Sequence, residues 1–153
     1  VNITVTAENQ GTYTETFNVT ARYENTTLAI LETVGTQEVT DLTAGQNVIL
    51  TFSWDTTDVQ PCVNYTIKAE ASQVPGESDT TDNLYIDGTV KVKLAGDVNG
   101  DGVVDVLDLT IVSIAYGNFE GEPDYNPDAD LNKDGIVDMW DLATVARNLG
   151  HTC

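Results

Sequence analysis

Gly96–Leu109 reads GDVNGDGVVDVLDL, and Ala129–Leu142 reads ADLNKDGIVDMWDL. The two stretches are one pattern written twice with a period of 33, so that Asp97 maps to Asp130, Gly102 to Gly135, Asp108 to Asp141 and Gly117 to Gly150. Self-similarity of this kind is settled before local propensity is weighed. Each copy is an Asp-x-Asn-x-Asp-Gly loop followed by apolar residues at helical spacing. Leu107, Leu109, Ile111, Val112 and Ile114 make the first helical pattern; Trp140, Leu142, Val145, Ala146 and Leu149 make the second. Gly117 and Gly150 stand just past them, where a C-terminal cap favours glycine. Between the copies, Asn118–Asp128 carries Pro123 and Pro127 and reads as a loop.

The loops have the chemistry of a hard cation. Calcium takes six to eight oxygens in flexible geometry, and a twelve-residue loop supplies them from positions 1, 3, 5, 7, 9 and 12, with glycine at 6 for the turn. The first loop offers Asp97, Asn99, Asp101, the Val103 carbonyl, Asp105 and Asp108; the second offers Asp130, Asn132, Asp134, the Ile136 carbonyl, Asp138 and Asp141. Two calcium ions are therefore expected. Several carboxylates in one small loop repel each other without a cation. A single loop of this kind arises by chance in an acidic surface, but two in register, each leading a helix, do not. Magnesium is disfavoured because it demands tight octahedral geometry. Val104 and Val137, at position 8, are apolar, as expected if the loops meet back to back.

Outward from the repeat, residues 1–95 change character. Val1, Ile3, Val5 and Ala7 alternate with polar residues, as do Phe17, Val19, Ala21 and Tyr23, and Val48, Leu50, Phe52 and Trp54; Tyr65, Ile67, Ala69 and Ala71 follow, then Val90, Val92 and Leu94. Period-two alternation rich in Val and Thr means strands with one buried face. Turn signals at Asn9-Gln10-Gly11, Glu24-Asn25, Ala44-Gly45-Gln46, Pro75-Gly76 and Asp82-Asn83 separate them. About seven strands at this spacing predict an antiparallel β-sandwich. Two domains are expected: a mainly β sandwich over 1–95 and a small all-α calcium-binding domain with two loop–helix motifs over 96–153. Only Ala95-Gly96 joins them, which implies a fixed orientation.

Charge limits the partners. The 153 residues carry 25 Asp and Glu against 6 Lys and Arg, a formal net charge of -19. Such a chain repels phosphate backbones and anionic lipid, so nucleic acid is excluded as a partner class. Acids and bases number 13 and 4 up to residue 95, and 12 and 2 in the much shorter remainder. No apolar run approaches the roughly 20 residues of a membrane span.

With GDVNGDGVVDVLDL, YNPDADLNKDGIVDMWDL and their spacing on the page, residues 96–150 resemble a dockerin domain. Position 12 is Asp rather than the Glu of most EF-hands, and no helix precedes the first loop. The resemblance implies two antiparallel helices, each led by a calcium loop, and binding to a protein, usually a cohesin. It also implies that loop positions 10 and 11 read the partner: here Val106-Leu107 and Met139-Trp140, apolar where many cellulosomal dockerins have hydroxyls. Core packing is the competing reading of Met139-Trp140.

Residues 1–95 are similar to CARDB-type Ig-like domains of archaeal and bacterial surface proteins, on NITVTAENQGTYTETFNVT, LTFSWDTTDV, NYTIKAEA and PGESDTTDNLYIDGTV. That resemblance implies an adhesion or spacer module. It also implies a strand before Val1–Ala7, whose absence means either a trimmed chain or an open groove that a neighbouring chain's strand fills.

Four Asn-x-Thr sequons, at Asn2, Asn18, Asn25 and Asn64, are candidate N-glycosylation sites. Cys62 and Cys153 allow a bridge joining the domains, worth on the order of 4 kcal/mol for so long a loop; an inter-subunit bridge and free thiols are the alternatives. His151 is the only histidine and sits at the chain's end, so no His-dependent nucleophilic site is expected. The expectation is a non-catalytic, calcium-dependent assembly protein of the cell surface or extracellular space, first as a structural subunit of a polymer, filament or envelope layer. The alternative is a cohesin-binding tail with a spacer domain from a larger secreted enzyme or adhesin.

Overall fold

The computed structural model describes residues 1–153. They divide into two units, Val1–Val92 and Lys93–Cys153, a boundary slightly earlier than the sequence suggests.

The first unit has six strands: β1 (Asn2–Glu8), β2 (Glu15–Asn25), β3 (Ile30–Leu42), β4 (Asn47–Ser53), β5 (Asn64–Ala71) and β6 (Leu84–Lys91). They form two sheets, β1–β4 and β3–β2–β5–β6, with every pairing antiparallel. The alternating residues face inward as their pattern requires. Phe17, Val19, Ala21, Val39, Leu50 and Phe52 make one buried cluster, and Trp54, Tyr65 and Ile67 make another. Tyr23 stacks on Trp54 with ring centroids 4.7 Å apart, and Tyr65 meets both rings edge-on. Such pairs stabilise beyond their buried area.

Two expectations, the strand number and the extent of the last strand, are corrected, and β3 was not foreseen from the sequence. There are six strands rather than seven. β3 lacks a clean alternation because it is a sheet edge with two register shifts against β2, so few of its side chains are buried. The last strand begins at Leu84 and ends at Lys91; Leu94 packs instead into the core of the second unit. Asn25 is buried, and its side-chain oxygen accepts the N–H groups of Thr27 and Leu28 at 2.9 and 3.0 Å, closing the β2–β3 turn. That placement withdraws Asn25 as an accessible glycan acceptor, whereas Asn2, Asn18 and Asn64 are exposed.

The second unit contains α1 (Val106–Ala115) and α2 (Met139–Asn148). Helices of ten residues are marginal alone, and both rely on a capping box. Asp105 caps α1 while Asp108 bonds back to the Asp105 N–H; Asp138 and Asp141 repeat this for α2. Gly117 and Gly150 follow the C-caps at φ +87 and +86, as expected. Val98, Val104, Val112, Ala115, Ala129, Val137 and Val145 form one core.

Val104 and Val137 share that core without pairing through their backbones, which corrects the back-to-back expectation. Each pairs with the segment leaving the other repeat's helix. Val104 accepts from Gly150 at 2.8 Å and donates to His151 at 2.9 Å; Val137 accepts from Gly117 at 2.8 Å and donates to Asn118 at 3.0 Å. Cys153 donates to Gly102, and Glu120 to Gly135, both at 2.8 Å. The buried N–H and C=O groups at position 8 need partners, and the chain emerging from each glycine cap supplies them. Each loop is thus held by the other half of the repeat. No helix is long and apolar enough to cross a membrane.

Candidate metal centre

Tight turns within each loop fold the side chains expected as ligands back onto the loop's own backbone. In the first, Asp97 accepts the N–H groups of Gly100 and Gly102 at 2.8 and 3.0 Å. Asn99 accepts from Asp101, and Asp101 from Val103, each at 2.9 Å. Asp105 accepts from Leu107 at 2.7 Å as the helix cap. Asp108 is fully buried; one oxygen accepts from Val98 and Asn99 at 2.8 and 3.1 Å, the other from Asp105 at 2.9 Å.

The second loop repeats this. Asn132 accepts from Asp134 at 3.1 Å, Asp134 from Ile136 at 3.0 Å and Asp138 from Trp140 at 2.7 Å. Asp141, fully buried, accepts from Leu131, Asn132 and Asp138 at 2.7, 3.3 and 2.8 Å. The short Asp at position 12 works because it lies on the first turn of a helix that starts at position 10, close enough to reach back to its own loop.

Asp130 is where the copies differ. One oxygen accepts from Gly135 at 3.0 Å and from the Tyr125 hydroxyl at 2.7 Å; the other is buried without a hydrogen-bond partner. Burial raises the Asp130 pKa, but the Tyr125 hydroxyl and the backbone N–H groups of Gly135, Lys133 and Asp134 together outweigh it, so the carboxyl is held below the usual carboxylate range. The same bond, with burial, pushes the Tyr125 phenol up to about 12. Sequence reasoning missed Tyr125; an aromatic just ahead of Pro127 and the loop was the available sign.

As placed, no three His, Cys, Asp or Glu side chains form a metal cluster, because the loop oxygens are turned toward backbone N–H groups. The residues nonetheless fit a hard cation. Asp97, Asp108, Asp130 and Asp141 are all buried, and both ion pairs of the chain, Arg22–Glu70 and Lys68–Glu24, lie in the other unit. Buried carboxylates without a counter-charge are costly. The unpartnered Asp130 oxygen is a ready ligand atom.

Above the loops, Val106 and Leu107 open α1, and Met139 and Trp140 open α2. All four are exposed, Trp140 by 69% and Met139 by 68%, so the core-packing reading of that pair is set aside. Ile114 extends the α1 patch, and its repeat equivalent on α2 is Arg147. His151 is exposed at the chain's end. Neither Cys62 nor Cys153 is a free thiol.

The family model for the dockerin type I domain matches residues 95–150. A solved type II cohesin–dockerin domain from Bacteroides cellolosolvens is 38% identical, covering 40% of this chain and 92% of that one at a TM-score of 0.35. Two interface mutants of a type II cohesin–X–dockerin complex from Acetivibrio cellulolyticus also match. The C-terminal mutant is 20% identical with a TM-score of 0.40, and the N-terminal mutant 17% with 0.39; each covers 88% of this chain and 83% of its own. No curated protein matches. The doubled loop and capped helix, over which the dockerin type I model matches, place residues 95–150 of this chain in the dockerin family.

Proposed function

We propose that this chain docks onto a cohesin domain of another protein, outside the cell and in a calcium-dependent manner, with the β unit as a non-catalytic spacer. The observation that carries this reading is the placement of two apolar pairs, Val106-Leu107 and Met139-Trp140, exposed at equivalent points of the repeat above buried carboxylates. Each pair begins a helix whose other face is fixed in the core, so the apolar side chains stand on a rigid platform. Exposed aromatic and Met side chains on such a platform are typical interface anchors.

Dockerins generally bind calcium, and two ions are proposed here. Asp97, Asn99, Asp101, Asp105 and Asp108 with the Val103 carbonyl would hold the first; Asp130, Asn132, Asp134, Asp138 and Asp141 with the Ile136 carbonyl would hold the second. The ion supplies the positive charge that the buried carboxylates lack. The dockerin match and the cohesin–dockerin name of the 38%-identical relative favour docking over the polymer subunit ranked first from the sequence. The CARDB-type identity of the β unit rests on its quoted residues and on a two-sheet arrangement that suits an Ig-like sandwich.

The test is binding of the full chain to immobilised type I and type II cohesins of its source organism. Saturable one-to-one binding is expected in calcium, with at least a hundredfold loss on chelation or in Trp140→Asp. Failure to bind any of those cohesins would sink the docking reading. Large calcium-dependent assemblies seen by light scattering would restore the polymer subunit.

A further inference from the structure

β1 is hydrogen-bonded on one side only, to β4. The ladder is fixed at its ends: the Trp54 N–H donates to the Val1 carbonyl at 2.7 Å, and the Asn9 N–H to the Gln46 carbonyl at 2.9 Å. With the register Ile3–Phe52, Val5–Leu50 and Ala7–Val48 between them, odd-numbered residues exchange bonds with β4. The N–H and C=O groups of Asn2, Thr4, Thr6 and Glu8 therefore point away from it, along a free edge.

The surface beside that edge is incompletely covered. Ile3, Val5 and Ala7 face inward but are only half-buried, while their partners Leu50 and Phe52 on β4 are buried. Across the gap, Tyr85 on β6 lies opposite the buried Ala69 in the inward register, yet it is 66% exposed. Between β1 and β5–β6 runs a groove with a cavity of about 700 Å³ at its Glu8 end, and a second of about 260 Å³ continues past Ile3–Thr6 to Asp87.

Sheet edges are ordinarily blunted by charges, bulges or proline. β3 carries Glu32, Glu38 and Asp41 with two register shifts, and β6 carries Asp87 and Lys91 with one. β1 has seven residues, no proline, no register shift and a single charge, Glu8. β4, the other outer strand of this sheet, is also uncharged, but its outward Thr51 carbonyl accepts from the Gln37 side chain of β3 at 2.8 Å; β1 has no such cover.

The groove's charge selects the occupant. Glu8, Glu15, Glu77, Asp79, Asp82 and Asp87 line it, and its one cation, Lys68, is paired with Glu24. A second copy of a chain with net charge -19 is repelled there. From this geometry we infer that the free edge of β1 accepts a strand from a partner protein, an extended segment alternating small apolar residues with lysine or arginine. Its backbone pairs with Asn2, Thr4, Thr6 and Glu8, as strands add to open edges. Its apolar side chains cover Tyr85 and the half-buried Ile3 and Val5, and its basic ones meet the acidic rim. This site is separate from the cohesin-facing helices and does not depend on them.

The probe is a blocked heptapeptide alternating lysine and valine, titrated into the full chain in calcium. Two peptides serve as controls, one alternating glutamate and valine and one with the probe's composition but its valines in a block. Both controls are expected to bind at least tenfold more weakly. Exchange of the Asn2, Thr4, Thr6 and Glu8 amides is expected to slow on binding of the probe. Thr4→Pro removes an outward N–H that β4 does not use, and should weaken the probe at least tenfold with an unchanged melting temperature. If Thr4→Pro disturbs folding, Asp87→Lys tests the rim instead and should weaken the probe severalfold. Equal binding of the block peptide, unchanged affinity in the variants, or those amides already protected in the chain alone, whether as monomer or self-associated, overturns the assignment.

Discussion

The first loop satisfies Asp97 with two glycine N–H groups, those of Gly100 and Gly102. The second has Lys133 where the first has Gly100. Both residues adopt positive φ, +77 for Gly100 and +61 for Lys133, but only glycine does so without steric cost. Asp130 also recruits Tyr125 from the intervening loop, and Val92, the position equivalent to Tyr125 in the first repeat, has no such hydroxyl. The duplication therefore preserved the scaffold of position 12, the caps and the reciprocal clasp, while the surroundings of position 1 diverged. Two loops of one pattern are thus not equivalent at position 1.

The largest effects are expected at position 12, where the two loops agree. Asp108→Ala and Asp141→Ala each orphan three backbone N–H groups around a fully buried position. Each should cost about 3 kcal/mol or more, enough to unfold the second unit even in calcium. Circular dichroism melts of the two variants should agree closely; a large difference would show that the halves are not equivalent in the folded scaffold.

Tyr125→Phe acts where the halves differ. It removes the hydrogen bond that Asp130 accepts from the phenol and leaves the rest of the ring in place. In a calcium titration followed residue by residue by NMR, the second loop should weaken while the first is unchanged. Equal effects on both loops would mean that the reciprocal clasp transmits the loss across the unit.

Lys133→Gly has the smallest expected effect. It relieves left-handed strain but gives up the bond from the Lys133 ammonium to the Pro127 carbonyl. A gain of at most about 1 kcal/mol is expected from denaturant unfolding; a loss would show that the ammonium contact outweighs the strain.

Much of this was legible in the sequence. The repeat, the glycine caps and the inward faces of β2, β4 and β5 follow from periods of 3.6 and 2 and from fixed loop spacing, which are local properties. β3 and the true extent of β6 were not legible. Edge strands need no clean alternation, because nothing packs on both of their sides. Asn25 carries the residues of a glycan acceptor, but its burial depends on how the β2–β3 turn closes.

The sequence by itself determined that two Asp-rich loops each lead a short helix, since spacing and side-chain chemistry act within a dozen residues. Only the tertiary structure decided which segment satisfies Val104 and Val137, that Tyr125 reaches Asp130, that Met139 and Trp140 face outward, and that β1 keeps a free edge. Each of these depends on which distant backbone arrives alongside. That is set by packing the whole unit, where a buried polar group takes whatever partner the fold brings within hydrogen-bond reach.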